Sequence, residues 1–158
     1  MSASTTRLMA SLAAGYLLGT LPSADVATRV ATRGQGDLRS QGSGNPGALN
    51  AIKVLGPGWG YGVMAADIAK GAAACVAGRA LAGDLGAHVG GTAAVVGHCF
   101  PVWNGFRGGK GVAASVGQCA MTFPAYVPID LAVAGLTVSA RWKSRDRKST
   151  RLNSSHSS

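Results

Sequence analysis

A chain of 158 residues is one domain at most, and 47% hydrophobic against 13% charged content is a bilayer composition more than that of an ordinary soluble domain. Its 24 glycines strengthen that reading, because small residues let helices approach closely where lipid supplies no hydrophobic drive between them. The formal charge of +9 invites nucleic-acid binding, but the basic residues flank apolar runs or fall at the very end of the chain, so no nucleic-acid partner is expected.

Arg7 precedes the first apolar run as it would in a signal peptide, yet no small-residue cleavage site follows ahead of a soluble domain, so this run reads as a retained span. From Leu8 to about Val30 the run has Asp25 as its only acid, and at about 1.5 Å per residue it is long enough to cross a bilayer. Pro22 predicts a kink or an early end. Arg29, Arg33 and Arg39 come next, which by the positive-inside rule places the first loop, RSQGSGNPGALN (39–50), in the cytoplasm and the N-terminus outside.

A second apolar run from Trp59 to about Ala82 holds Asp67 and Lys70 three residues apart, on one helical face. Charges at that depth should pair with each other or face a polar cavity. Leu85 to about Val102 makes a third run, returning to the side of Arg107 and Lys110. The second loop, GHCFPVWNGFRGGKG (97–111), therefore shares a compartment with the first. Beyond Gly111 an apolar stretch is broken by Pro124 and Pro128 and resumes as IDLAVAGLTVSA. Two short spans are preferred over one kinked span, because Arg141 and Lys143 then fall inside.

The expected fold is an all-α, polytopic transmembrane helical bundle of roughly four or five spans with glycine-rich cytoplasmic loops, covering residues 1–143. Residues 144–158, SRDRKSTRLNSSHSS, lack apolar periodicity and resemble translated sequencing-adapter read-through, so they are set aside as a non-native tail; a native disordered basic tail is the alternative. Cys75, Cys99 and Cys119 make no C-x-x-C pair and read as small buried hydrophobes. With His88 and His98 they give no familiar ligand spacing, so neither a metal nor another cofactor is expected. Trp59, Tyr61 and Trp103 read as interfacial anchors.

The loops carry the chemistry. Glycines in GSGNPG let the backbone turn its N–H groups inward as an anion-binding nest, Ser43 and Asn45 add side-chain donors, and Arg39 and Lys53 add charge. In the second loop Arg107, Gly108, Gly109, Lys110 and Gly111 immediately precede a predicted helix, where amides, the positive end of the helix dipole and two cations converge. Glycine follows Lys110 and Asn104 stands where a first glycine would be needed, so this is not a Walker A motif. Two phosphate-friendly loops on one membrane face suggest a site for two phosphorylated molecules, or for one substrate and one leaving phosphate.

Taken together, GYLLGTLPSA, GSGNPGALN, the DIAKG of the second run and GHCFPVWNGFRGGKGVA resemble, in order and spacing, the bacterial acyl-phosphate:glycerol-3-phosphate acyltransferase (PlsY) family, over roughly Gly15 to Ala140. The resemblance implies a multi-pass enzyme of the bacterial inner membrane, surrounded by membrane lipids. It would move a fatty acyl group from acyl phosphate to the sn-1 hydroxyl of glycerol 3-phosphate, giving lysophosphatidic acid and phosphate at the start of phospholipid biosynthesis. Matched position by position, Ser43, Gly44, Asn45, Gly47 and Asn50 belong to the motif serving the acyl-phosphate head, and Gly108, Gly109, Lys110 and Gly111 to the one associated with glycerol 3-phosphate.

Catalytic candidates are thus Ser43, Asn45, Lys110 and His98, the last matching a GH-x-FP motif either as a proton relay or as a structural residue at a helix end. Substrate-binding candidates are Arg39, Gly44, Gly47, Asn50, Lys53, Arg107, Gly108, Gly109 and Gly111. Acyl phosphate is already activated, so positioning and charge stabilisation suffice without a catalytic dyad. Indeed neither His88 nor His98 has an Asp five residues on, and the His-x4-Asp pattern of other glycerophosphate acyltransferases is absent. Three departures stand out. Leu49 replaces an expected Thr. Lys53 replaces an expected Arg and loses its bidentate fork. The family's C-terminal HR-x-x-NI-x-R-L motif with a nearby Glu is not reproduced by Asn153 and His156, and the chain contains no glutamate, so a C-terminal truncation is expected.

Overall fold

The computed structural model describes residues 2–129 and residue 132. The chain divides into two compact units, Met1–Thr122 and Phe123–Ser158. Among the described residues all regular structure is helical, and the larger unit holds five α-helices.

Helix α1 (Ala3–Gly19) is capped by the Ser2 hydroxyl, which accepts from the Thr5 amide at 3.3 Å. It stops before Pro22, and α2 (Ser23–Ala31) starts afresh. The single crossing expected from Leu8 to Val30 is therefore two helices, because Pro22 has no N–H to continue the ladder and its ring opposes the preceding turn. Helix α3 (Ala48–Leu55) follows the first loop. The helical stretch α4 (Pro57–Cys99) is broken at Ala82 and at Gly83, whose φ of +66° and ψ of −154° suit glycine alone. That break yields two arms, 57–81 and 84–99, close to the second and third expected runs. A 3-10 turn (Val102–Asn104) lies in the second loop, and α5 (Val112–Thr122) follows it.

Glycine decides how these helices meet. A Cβ on Gly78 would strike the backbone of Gly86, so the two arms of α4 fold back on each other antiparallel. Cβ atoms on Gly15 and Gly19 would strike Gly90 and Ala94, which sets α1 parallel to the second arm. One on Gly71 would strike Ala114 of α5. Buried apolar positions are accordingly small, among them Ala74, Ala87, Ala93, Ala94 and Ala114, while Met9, Leu12, Leu17, Val76, Leu85, Val96 and Val116 are exposed. A water-soluble core buries its large aliphatics. Small residues inside and large ones outside is the pattern of helices packed in lipid.

Among the described residues no helix is long and apolar enough to cross a membrane. Pro22 divides the first run, and glycines together with Asp67 and Lys70 dilute the apolar character of the rest. A second, local core of Ala24, Leu38, Ala51 and Val63 joins α2, the first loop, α3 and the first arm. It seats the first loop. In the second unit a 3-10 turn (Pro124–Tyr126) sets Phe123 and Tyr126 edge to face at 6.1 Å. The rest of IDLAVAGLTVSA, the boundary at residue 143 and the tail 144–158 lie outside the described residues.

Candidate functional site

The first loop is tied by one side chain. Asn50, 1% exposed, donates through Nδ2 to the carbonyls of Leu38 (3.0 Å) and Gln41 (2.9 Å), while its Oδ1 accepts from the Ser43 amide (2.8 Å). Gly42 (φ +60°) and Gly44 (φ +71°) supply the left-handed turns this knot needs. The Gly44 amide donates to Gln41 O and the Gly47 amide to Asn45 O. The amides of Ser43, Gly44 and Gly47, expected to face an anion, thus hold the loop's own shape. What the loop presents outward is the side chains of Ser43 and Asn45.

The second loop folds back on the end of α4. The Gly108 amide donates to Cys99 O (3.0 Å) and the Gly109 amide to His98 O (3.1 Å), so these two amides are likewise committed internally. Gly109 lies against the His98 imidazole so closely that a Cβ would strike it. Gly111 takes φ +78° immediately before α5, and the Ser115 amide donates to its carbonyl (2.8 Å). Lys110 and Arg107 are the loop's outward-facing cations.

Beneath the loops lies a polar network that joins four segments. Asp67 and Lys70 pair at 3.0 Å and are both buried, so the ion-pair alternative for these two residues is realised. Asp67 also accepts from the Ser23 hydroxyl and lies 3.5 Å from Nδ1 of His98. Lys70 Nζ donates to Leu21 O (3.0 Å), next to the break between α1 and α2. His98 is therefore a buried partner of Asp67 rather than a group at the mouth of the site. Such buried charges persist because each is paired and hydrogen-bonded.

Asp25, in the first turn of α2, is the second polar centre. Its carboxylate receives Arg39 bidentately (NH1 to Oδ1 2.5 Å, NH2 to Oδ2 3.3 Å) and Asn104 Nδ2 at 2.7 Å. The hydrogen bond that Arg39 donates to the Asp25 carboxylate holds its guanidinium above its already high ordinary pKa. Arg39 also donates through Nε and NH2 to Arg107 O, each at 3.3 Å. The Trp103 indole reaches Thr20 Oγ1 at 3.0 Å, a contact beyond the expected role of interfacial anchor. Sequence reading passed over Asp25 and Asn104 as site residues. Their signals were an acid three residues after a helix-breaking proline and a polar residue inside an otherwise apolar and glycine-rich loop.

Between the two loops lies a cavity of about 640 Å³ lined by Asp37, Arg39, Ser40, Ser43, Gly44, Asn45, Pro46, Arg107, Gly108 and Lys110. Seven of the expected residues thus meet in one place: Arg39, Ser43, Gly44, Asn45, Arg107, Gly108 and Lys110. The others do not line it. Gly47 caps α3, Asn50 is the buried knot, Lys53 is exposed on α3, His98 is buried beside Asp67, Gly109 packs on His98, and Gly111 starts α5. Directly below, a much smaller pocket is walled by Asp25, Arg39, Lys70, His98, Asn104 and Gly109, among others.

A family model described as glycerol-3-phosphate acyltransferase matches residues 9–149. The glycerol-3-phosphate acyltransferase of Allorhizobium ampelinum is 44% identical over 126 residues, covering 77% of this chain and 59% of the relative. That of Thermoanaerobacter pseudethanolicus is 42% identical over 123 residues, covering 78% and 61%. The chain thus spans about three fifths of the length of these curated relatives. Among solved structures, the integral membrane glycerol 3-phosphate acyltransferase PlsY in its glycerol 3-phosphate form superposes with a TM-score of 0.73 at 32% identity, covering 83% of this chain and 66% of that one. Its lysophosphatidic acid form gives 0.69 at 30% identity, covering 80% and 62%. The all-α bundle is therefore that of an integral membrane protein, which explains a surface of large aliphatic side chains.

Proposed function

This chain belongs to the glycerol-3-phosphate acyltransferase family, and from that premise we propose that it carries the site that transfers a fatty acyl group from acyl phosphate to the sn-1 hydroxyl of glycerol 3-phosphate. Lysophosphatidic acid and inorganic phosphate are the products, and the reaction belongs to phospholipid biosynthesis. The observation that carries this reading is a cavity lined by both loops, with Ser43 and Asn45 on one wall and Arg107 and Lys110 on the other. Its volume of about 640 Å³ lies in the range of ordinary small-molecule sites.

In this reading Ser43 and Asn45 hold the acyl-phosphate head, while Lys110 and Arg107 receive the phosphate of glycerol 3-phosphate. The sn-1 oxygen attacks the acyl carbonyl carbon, the bond from that carbon to the phosphate oxygen breaks, and the hydroxyl proton passes to the departing phosphate. Lys110 and the hydroxyl and amide groups lower the cost of the developing oxyanion. His98, engaged by Asp67 below, supports the loop through its carbonyl bond to Gly109. The site faces the cytoplasm across the bacterial inner membrane, a placement supported by Arg29, Arg33, Arg107 and Lys110 at one end of the bundle.

The test is lysophosphatidic acid formation from acyl phosphate and glycerol 3-phosphate by the chain extended to full length, in lipid vesicles, with Lys110→Ala as the comparison. A loss of about 100-fold or more is expected on removing this cation. Equal activity with Lys110→Ala, or no product above background, sinks the assignment. Phosphate-dependent thermal stabilisation without acyl transfer would favour a phosphate-recognising membrane binding protein or channel.

A further inference from the structure

We propose that Asp25 is the positioning residue that couples the two substrate loops, and that Arg39, spent on Asp25, acts as a strut between them rather than as a phosphate ligand. This rests on the acyltransfer reading of the cavity above. The geometry is a three-way junction. One carboxylate on α2 takes Arg39 from the first loop at 2.5 Å and Asn104 from the second at 2.7 Å. Arg39 then reaches across to the Arg107 carbonyl with two further donors. These side chains are only partly exposed, about a quarter for both Asp25 and Arg39, so solvent does not fully screen the pair.

The junction also has a fixed base. Two residues before Asp25, Ser23 donates to buried Asp67, and Lys70 holds the carbonyl of Leu21, so the first turn of α2 is bound to the first arm of α4. Asp25 is thereby a stationary point from which both loops are hung. A two-substrate transfer needs its partners held at reacting distance, and a displacement of about 1 Å can cost 100-fold in rate. Each substrate still has its own loop. Loosening the junction should lower kcat while leaving each KM nearly unchanged.

Hydrogen exchange of the full chain, in the same vesicles, tests the coupling without reference to catalysis. In Asp25→Asn, peptides over 39–50 and 104–111 should both exchange about tenfold faster while α1 and α5 keep wild-type rates, as expected for loss of a local rather than global contact. Asn104→Ala, which cuts one strand of the junction, should speed the second loop alone. The swap Asp25→Arg with Arg39→Asp should restore slow exchange in the first loop and only part of it in the second, since the Asn104 amide can turn its oxygen toward the new guanidinium but the new carboxylate cannot replace the Arg39 donors to the Arg107 carbonyl. Kinetics should show kcat down about 100-fold in Asp25→Asn with both KM values within about threefold. Unchanged exchange in the second loop, or faster exchange in α1 and α5 that the swap does not reverse, overturns the proposal. A wild-type chain without acyl transfer would sink the reading of the cavity and leave the exchange result standing.

Discussion

The helix crossings of the bundle and the left-handed turns of the loops use glycine in opposite ways. In the bundle Gly15, Gly78 and Gly90 matter for the side chain they lack, because backbone meets backbone there and an added Cβ has nowhere to go. In the loops Gly42, Gly44 and Gly111 matter for the torsion angles they allow, and specific side chains such as Asn50, Asp25 and Arg39 make the contacts. At these crossings the bundle is therefore intolerant of size and indifferent to chemistry. The loops depend on the chemistry of a few groups.

The sharpest way to break this contrast is to add bulk at a helix crossing. Gly90 packs against α1 and the first arm of α4 at once, with the carbonyls of Ala74 and Ser11 in its path. Gly90→Leu should cost about 3 kcal/mol or more, since the neighbours are backbone and cannot rotate away. Thermal unfolding and size-exclusion profiles in detergent should show loss of the folded species. A variant that melts like the wild type would mean that the close approach is dispensable.

A smaller and more local effect is expected at the knot of the first loop. Asn50→Ala leaves the Ser43 amide and the carbonyls of Leu38 and Gln41 without their partner. Orphaning such groups costs about 1–3 kcal/mol, and the damage should be confined to residues 38–45. Limited proteolysis should cut the variant within that stretch while α4 stays protected. Asn50→Asp, which keeps the acceptor for Ser43 but sets a buried carboxylate oxygen against the carbonyls of Leu38 and Gln41, should cost at least as much as Asn50→Ala. Uniform loosening of the whole chain would erase the distinction between loop and bundle.

The same contrast explains what could be read in advance. Apolar runs and glycine content announced the helices, and the hairpin arms of α4 lie where the hydrophobic runs from Trp59 to Ala82 and from Leu85 to Val102 put them. The four motifs announced that the two loops belong together, and the cavity brings Ser43, Asn45, Arg107 and Lys110 into one place. The direction of each group was not legible. A glycine-rich loop looks the same whether its amides face a ligand or its own carbonyls, so the internal bonds of Ser43, Gly44, Gly108 and Gly109 could not be foreseen. Nor does spacing reveal that Arg39 meets an acid fourteen positions earlier, because that pairing exists only once Pro22 has divided α1 from α2.

The smallest effect belongs to a polar contact made by the bundle rather than by the loops. At the far end of the α4 hairpin, Arg79 pairs with Asp84 at 3.1 Å across the break at Ala82 and Gly83, with side chains 46% and 87% exposed. Arg79 keeps a second acceptor, the Met121 carbonyl at 3.4 Å, when Asp84 is neutralised. The hairpin itself is fixed by Gly78 against Gly86, which does not involve charge. Asp84→Asn should therefore change stability by no more than about 0.5 kcal/mol, and high salt should remove even that difference. Denaturant midpoints for the two chains at low and high salt measure it. A shift comparable to that of Asn50→Ala would show that the α4 hairpin also hangs on an individual polar contact, and the division between its glycines and those of the loops would have to be redrawn.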